Sequence, residues 1–170
     1  MNNLEFITKS ANGKSIFNRF NSHIHKNVNF ETLVKALSGL HLCNEFHKEV
    51  VDMKCVIGKC DCVPITKNDE IIYVIRKGRK GPTPMVKKRL PMDSSCITVV
   101  LKRIEDDNYI LLSSYIGSES TPEPWDSNFY NQFTWKKNPN IDELAYAKSI
   151  EFWNTHALIY NKDEISLLLS

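Results

Sequence analysis

Ile97-Thr-Val-Val-Leu-Lys102 and Tyr109-Ile-Leu-Leu-Ser-Ser-Tyr-Ile116 are the two segments that decide the fold of this chain. Both are rich in β-branched and aromatic residues, which are typical of strands. In the first segment, Thr98, Val100 and Lys102 alternate with Ile97, Val99 and Leu101, which is the period expected for a strand. The link Glu105-Asp-Asp-Asn108 is short and polar, and it predicts a hairpin with about four loop residues. Strands joined in this way run antiparallel.

The strand pattern extends upstream of this hairpin. Strands are predicted at residues 50–57, 60–65, 71–76, 97–103 and 109–116. Gly58-Lys59 is interpreted as the turn of a second hairpin, between the first two of these strands. Because the links are short and polar, we predict an antiparallel sheet core over residues 50–117.

The part of the chain before the sheet contains one clear helix. Residues 1–28 are polar and mixed, and they are interpreted as either a mobile arm or a first helix around residues 15–20. A helix is predicted to begin after Asn29, whose side chain suits an N-cap, and to end near Gly39. Its apolar face is formed by residues at helical spacing: Phe30, Leu33, Val34, Leu37 and Leu40.

The part of the chain after the sheet, residues 141–170, is predicted to be mainly helical. One helix begins at Asp142 and continues to about Trp153, and a short strand covers residues 156–160. Asp163 is predicted to cap a last helix over residues 164–169. With helices at both ends and strands between them, we predict an α+β fold. Its N-terminal and C-terminal helices would pack on the antiparallel sheet, in a single domain of residues 1–170.

The composition is that of an ordinary globular protein. The chain has 170 residues, of which 42% are hydrophobic and 25% are charged, and its net charge is +2. These values lie near the average for globular domains. No run approaches the roughly 18 apolar residues of a membrane span, and the N-terminus lacks the features of a signal peptide. We therefore expect no membrane association and a cytoplasmic location.

The five cysteines are interpreted as free thiols. An odd number, in a chain expected to lie in the cytoplasm, argues against a disulfide framework. Cys55, Cys60 and Cys62 are close in sequence, and His47 or Cys43 would be needed to complete a zinc site. Because no second well-spaced pair exists, we favour small apolar residues in a strand hairpin. The prediction includes no metal and no cofactor, and a metal at these cysteines stays the alternative.

Positive charge is densest in residues 76–89, where half of the residues are basic and none is acidic. The basic residues are Arg76, Lys77, Arg79, Lys80, Lys87, Lys88 and Arg89. A basic loop held between two strands favours a polyanion, and the phosphate chain of a nucleic acid is the most common one. The alternative is a solvated cationic loop without a ligand.

Histidines in this chain supply candidate proton-transfer groups. Cleavage of RNA without a metal needs a base for the ribose 2′-hydroxyl, an acid for the leaving oxygen and cations for the phosphate. Histidine titrates near neutral pH and suits either proton role. His25 precedes the first helix, with His23 as an equal neighbour, and His156 follows the late helix. His156 is alternatively a core residue.

The full set of candidate site residues follows from these patterns. Thr98 and Ser114 are included because strand hydroxyls on one face of a sheet would point at the same anion. The candidate catalytic residues are His25, Lys77, Arg79, Thr98 and His156. The candidate nucleic-acid-binding residues are Arg76, Lys80, Lys87, Lys88, Arg89 and Ser114. In the loop Pro122-Glu-Pro-Trp-Asp126, Glu123 is either a general base or part of a structural loop, and we favour the structural interpretation.

Three motifs resemble small endoribonuclease-like domains of the barnase–EndoU–colicin–RelE group. They are Tyr73-Val-Ile-Arg-Lys-Gly-Arg79 with Val86-Lys-Lys-Arg-Leu-Pro91, the strand pair ending in Ser-Ser-Tyr-Ile-Gly117, and Phe152-Trp-Asn-Thr-His-Ala-Leu158. The resemblance covers roughly residues 70–160. It implies metal-independent RNA cleavage by an early histidine, a basic or hydroxyl-bearing strand residue and the strand end. It also implies a toxin-like protein, with tRNA as the candidate substrate and an immunity or antitoxin protein as partner.

We therefore predict a metal-independent endoribonuclease that uses the 2′-hydroxyl of RNA as its nucleophile. The alternative is a nucleic-acid-binding module that uses the basic segment 76–89 without catalysis. Such a module would need neither histidine and would bind with a steep dependence on salt.

Overall fold

The computed structural model describes residues 4–24, 27–76, 81–118, 123–124 and 139–160, apart from the side chains of 20–23, 139–143 and 145. The strands are β1 (Leu4–Lys9), β2 (Ser15–Ile24), β3 (Phe46–Asp52), β4 (Gly58–Cys60), β5 (Cys62–Pro64), β6 (Glu70–Val74), β7 (Thr83–Lys87), β8 (Met92–Ser94), β9 (Cys96–Glu105), β10 (Asn108–Ile116) and β11 (His156–Ile159). The described helices are α1 (Phe30–Ser38) and α2 (Pro139–Thr155). The chain divides into two compact units, of residues 1–60 with 93–119 and of residues 61–92 with 120–170.

The first unit is built on a five-stranded sheet with the order β1-β2-β10-β9-β3. The predicted β9–β10 hairpin is confirmed, with Leu101 opposite Leu111. β3 continues the antiparallel arrangement beside β9. β2 pairs with β10 in the parallel direction, so the sheet is mixed. A separate two-stranded sheet joins β4 to β8.

One face of the five-stranded sheet is covered by α1. Leu33, Ala36 and Leu37 of α1 are buried in one cluster with residues of β2, β9 and β10. Those strand residues are Ile16, Ile97, Val99, Leu101, Tyr109 and Leu111. The hydroxyl of the buried Tyr109 donates to the carbonyl oxygen of Asn44 at 2.8 Å, which satisfies its polar atom. The core of this unit therefore lies between α1 and the sheet.

The predicted caps of α1 are confirmed. Asn29 Oδ1 accepts a hydrogen bond from the backbone N–H of Thr32, and Gly39 closes the other end through the carbonyls of Ala36 and Leu37. The Asn29 oxygen satisfies one of the N–H groups that a helix leaves unpaired at its start.

Replacing Asn29 with alanine is expected to reduce the free energy of unfolding by about 1 kcal/mol, because that N–H loses its protein acceptor. Urea denaturation followed by circular dichroism measures this change. Asn29→Asp keeps an acceptor and is the matched control, expected to stay near the wild-type stability. Equal stability of the alanine and aspartate variants would contradict the capping role.

The second unit is built on a four-stranded sheet with the order β5-β11-β7-β6. β11 runs antiparallel to β5 and parallel to β7, with Leu158 beside Met85. Val63, Val86 and Ala157 form the buried cluster on one face of this sheet. The predicted strand at 156–160 is therefore confirmed as β11, in a central position.

The prediction of an α+β fold with helices packed from both ends is wrong. Among the residues that the structure describes, the protein is mostly β, with two helices and three sheets. Residues 15–20 belong to β2 and not to a first helix. Ile16, Phe17 and Phe20 fit helical spacing, but β1 and β10 supply strand partners on both sides of β2, and this tertiary pairing overrides the local pattern. The predicted helix at 164–169 lies outside the described residues.

Two further expectations on the strands are corrected. Gly58-Lys59 is not a hairpin turn, because these residues lie inside β4 and pair with β8. The basic segment is not one continuous loop, because β7 occupies residues 83–87. Pro82 and Pro84 favoured a loop, but Pro84 lies near the start of β7, before the residues that pair with β11.

The single-domain prediction stays a prediction. Within the described ranges, no helix is long and apolar enough to cross a membrane.

Candidate functional site

The structure distributes the predicted site residues over both units. Arg76, Lys87, Lys88, Arg89 and His156 belong to the second unit, and Thr98 and Ser114 belong to the first. Four candidates lie outside the described residues: His25, Lys77, Arg79 and Lys80. The second unit therefore holds the described cations together with the described candidate histidine.

Arg76, Thr83 and Glu123 form a buried polar cluster in the second unit. The guanidinium of Arg76 pairs with one carboxylate oxygen of Glu123 through Nη2, and its Nε donates to the Thr83 hydroxyl at 3.0 Å. That hydroxyl donates in turn to the other carboxylate oxygen of Glu123 at 2.6 Å. The side chains of Arg76 and Glu123 are 12% and 4% exposed, and Thr83 is 0% exposed. Each side chain holds the other two in place, since a buried donor or acceptor without a hydrogen bond costs free energy.

This cluster gives Glu123 a structural role through its buried ion pair with Arg76, which the sequence did not predict. Both of its carboxylate oxygens already accept hydrogen bonds, one from Arg76 and one from Thr83. A carboxylate held in this way serves as the counter-charge that orients a guanidinium. Arg76 is thereby fixed at the point where the chain enters the basic residues 77–80.

His156 is held in one orientation by its neighbours. Its ring stacks on Phe152, with centroids 4.0 Å apart and planes inclined by 7°. Its Nδ1 lies 3.1 Å from the carbonyl oxygen of Phe152 and 2.9 Å from the Thr155 hydroxyl oxygen. Because the Thr155 hydroxyl donates to backbone carbonyls, both contacts suit a proton on Nδ1 of His156. In the neutral ring, Nε2 is then the nitrogen with a free electron pair.

Strand pairing relates His156 to the buried cluster. β7 and β11 are parallel, with Leu158 beside Met85 and Ile159 beside Val86. His156 stands two residues before Leu158, and Thr83 stands two residues before Met85. Since side chains alternate along strands, His156 and Thr83 occupy the same face, at the same end of adjacent strands. This is the face opposite the buried cluster of Val63, Val86 and Ala157.

The other described cations of the basic segment are partly engaged by acceptors. Arg89 Nη1 donates to Asp69 at 2.9 Å and to the carbonyl oxygen of Pro64 at 2.7 Å. The backbone N–H of Thr66 and, after it, Arg89 lower the pKa of Asp69. Arg89 therefore connects the loop after β7 to residues 64–69, in addition to being a candidate ligand for an anion.

The two described lysines of the segment, Lys87 and Lys88, are held less firmly. Lys87 Nζ lies 3.9 Å from Glu70 Oε1, and both side chains are substantially exposed. Lys88 is exposed and has a φ of 56°, in the left-handed region. The surface pair of Lys87 contributes little to stability, so its ammonium group can exchange Glu70 for a phosphate, and the exposed side chain of Lys88 is open to the same ligand.

Thr98 and Ser114 do not share a face of the first sheet, which corrects that hypothesis. Thr98 pairs with Tyr115 and Ser114 pairs with Val99, so the two side chains point to opposite sides. Both residues are 0% exposed, and the Thr98 hydroxyl donates to the Gly117 carbonyl at 2.9 Å. The Ser114 hydroxyl has no hydrogen-bond partner among the residues that the structure describes. No common anion is expected to contact the two hydroxyls.

Sequence reasoning missed the residues that orient the candidate groups. Thr83 binds Arg76 and Glu123, while Phe152 and Thr155 hold His156. Phe152 and Thr155 are close to His156 in sequence, since both lie in the last turn of α2 immediately before it. The sequence does not indicate the role of Thr83, since its partners Arg76 and Glu123 lie 7 and 40 residues away from it.

Metal ligands are not assembled in the parts of the chain that the structure describes. No group of three or more His, Cys, Asp or Glu side chains there is arranged to hold an ion. Cys60 and Cys62 lie on β4 and β5, and Cys55 is exposed.

No protein-family model and no curated protein matches this chain. Among solved structures, the chain is similar to a conserved hypothetical protein from Toxoplasma gondii ME49. The two are 13% identical, over 78% of this chain and 84% of the other, with a TM-score of 0.46. At these values the likeness supports no conclusion about function.

Proposed function

We propose that this protein is a metal-independent endoribonuclease, with His156 as a proton-transfer group. The observation that supports the proposal is the orientation of His156, whose Nδ1 is bound by the Phe152 carbonyl so that Nε2 carries the electron pair. Arg76 lies near this end of the sheet, bound to Thr83 on the face that His156 occupies. A histidine can transfer the protons of RNA transesterification, and a guanidinium can bind the phosphate oxygens.

The proposed reaction needs no metal ion. Nε2 of His156 removes the proton of a ribose 2′-hydroxyl, and the 2′-oxygen attacks the adjacent phosphorus. The bond from phosphorus to the 5′-oxygen breaks, and that oxygen takes a proton from an acid. The products are a 2′,3′-cyclic phosphate and a free 5′-hydroxyl. From the sequence, His25 is predicted as a proton-transfer residue in either role, and it stays a prediction.

Cations of the basic segment would hold the RNA backbone. The buried pair with Glu123 fixes Arg76, while Lys87 and Lys88 present exposed ammonium groups. The sequence adds Lys77, Arg79 and Lys80 immediately after Arg76. Such a cluster would stabilise the extra negative charge on the phosphate in the transition state. An acidic immunity or antitoxin protein would suit the same surface.

Incubation of the protein with RNA in excess EDTA tests the proposal. We expect fragments that end in 2′,3′-cyclic phosphate, detected by mass spectrometry. The same oligonucleotide with 2′-deoxyribose at the cleaved position is the control, and it is expected to stay intact because the nucleophile is absent. Cleavage of that control, or activity that depends on an added divalent metal, would overturn the mechanism.

A nucleic-acid-binding module without catalysis is the second candidate. The observation that favours it is the weak pairing of Lys87 together with the exposure of Lys88, which places positive charge at the surface without requiring a proton-transfer group. In this case RNA would stay intact in the same experiment and would bind with an affinity that falls steeply with salt.

A further inference from the structure

A row of side chains crosses the five-stranded sheet of the first unit on the face opposite α1. Strand pairing places one residue from each strand side by side, in the order Phe6, Phe17, Ile110, Lys102 and Phe46. These residues alternate along their strands with the ones that α1 covers, such as Ile16 and Leu101, so they point away from the helix. At the usual strand spacing the row is about 19 Å long.

The two ends of this row are open to solvent. Phe6 is 54% exposed and Phe46 is 58% exposed, although both rings are large and apolar. Phe6 packs edge-to-face on Phe17, with ring centroids 5.8 Å apart. Ile110, in the middle, is only 5% exposed, so the accessible rings of the row are those at its two ends. Exposed rings on a sheet platform are typical of surfaces that bind a ligand.

The charges on this face are mainly positive. Lys102 lies within the row, and Arg19 and Lys48 lie on the same face two residues from Phe17 and Phe46. The carboxylates on this face stand towards its two ends, at Glu105 and at Asp52. Asp52 is already bound by the backbone N–H of Lys54 at 2.9 Å. Lys102 therefore brings positive charge to the middle of the row.

We propose that this face binds single-stranded RNA. Phe6 and Phe46 would stack on unpaired bases, and Lys102 would contact the phosphates between them. Aromatic rings combined with cations on a sheet are suited to single strands, because every base has a face that can stack. A protein partner fits less well, because lysine is depleted at the centres of protein interfaces. The inference concerns the first unit and does not depend on the cleavage proposed for the second.

Binding of a fluorescent 2′-O-methyl RNA of about 12 nucleotides tests the inference by anisotropy. This RNA lacks the nucleophilic hydroxyl, so cleavage does not affect the measurement. We expect Phe46→Ala to raise Kd by about 10-fold and Phe6→Ala with Phe46→Ala to raise it by about 100-fold. Phe30→Ala is the matched control, since Phe30 is 60% exposed but begins α1 on the other side of the sheet. Its Kd is expected to stay near the wild-type value.

Conservative variants separate ring stacking from a general apolar contact. Phe46→Trp is expected to keep the affinity, and Phe46→Leu is expected to bind as weakly as alanine. Lys102→Ala is expected to reduce the slope of log Kd against log salt by about one, unlike Lys35→Ala on the exposed side of α1. A duplex of the same sequence is expected to bind more weakly, because its bases are paired.

Several outcomes would overturn this inference. They are an unchanged Kd in the double phenylalanine variant, wild-type affinity of Phe46→Leu, and equal binding of single strand and duplex. A loss of self-association in the double variant, measured by sedimentation, would assign the face to a second copy of the chain instead. If RNA binds through this face but His156→Ala changes no cleavage, the proposed function fails and this inference stands.

Discussion

His156→Ala is expected to lower the rate of RNA cleavage by about 100- to 10,000-fold, which is the usual contribution of a positioned proton-transfer group. The substitution removes Nε2, while the protein loses only a half-buried ring that stacks on Phe152. RNA affinity is expected to stay within about two-fold, since the cations of the basic segment are unchanged. Single-turnover cleavage in EDTA, beside an anisotropy measurement of binding, checks both expectations.

Two further variants show whether His156 acts through its chemistry or its packing. His156→Asn keeps a donor for the Phe152 carbonyl but has no Nε2, and it is expected to be as inactive as alanine. Thr155→Val removes the hydroxyl beside Nδ1 and is expected to cost only a few-fold, mainly through orientation of the ring. His41→Ala, at an exposed histidine of the first unit, is the matched control. Full activity of His156→Asn would show that another group transfers the proton.

Glu123→Ala is expected to lower the free energy of unfolding by about 3–5 kcal/mol, because it leaves the Arg76 guanidinium buried without its counter-charge. Thr83 also loses the acceptor of its hydroxyl, which is 2.6 Å away. Urea denaturation of the full chain measures the effect. Glu70→Ala removes an exposed carboxylate 3.9 Å from Lys87, and as the control it is expected to change stability by less than about 1 kcal/mol.

A double variant identifies the source of this loss. Arg76→Met combined with Glu123→Leu removes both charges and is expected to be more stable than Glu123→Ala alone, because no buried charge is left unpaired. If Glu123→Ala were as stable as the wild type, the pair would not be buried in solution as it is in this structure.

The parts of the fold that the sequence predicts correctly are those with local signals. The β9–β10 hairpin follows from the polar link at 105–108, and α1 follows from Asn29 and Gly39 at its ends. The sequence predicts a mobile arm or a helix where β2 lies, because the partners β1 and β10 are not evident from its own residues. It does not predict β7, because proline marks loops more often than strands.

The candidate site shows the same limit. The sequence identifies Arg76 and His156 as suitable chemical types, but their positions depend on pairing between β7 and β11. Glu123 meets Arg76 across a long stretch of chain, and no spacing rule relates them. Glu123 is only 4% exposed, and a buried carboxylate needs hydrogen-bond partners. Its burial therefore decides its role, although its partners are distant in sequence. Residue type is therefore predictable here, while the arrangement of the site is not.

The parallel pairing of β2 with β10 has a consequence for biosynthesis. On the ribosome, β1, β2 and β3 emerge well before β9 and β10, the strands that join them into one sheet. Until then the nascent chain exposes unpaired strand edges, which are prone to intermolecular association. At translation rates of about 5–20 residues per second this interval lasts for seconds. Nascent chains arrested before β9 should therefore bind chaperones, and chains released from arrest after β10 should lose them.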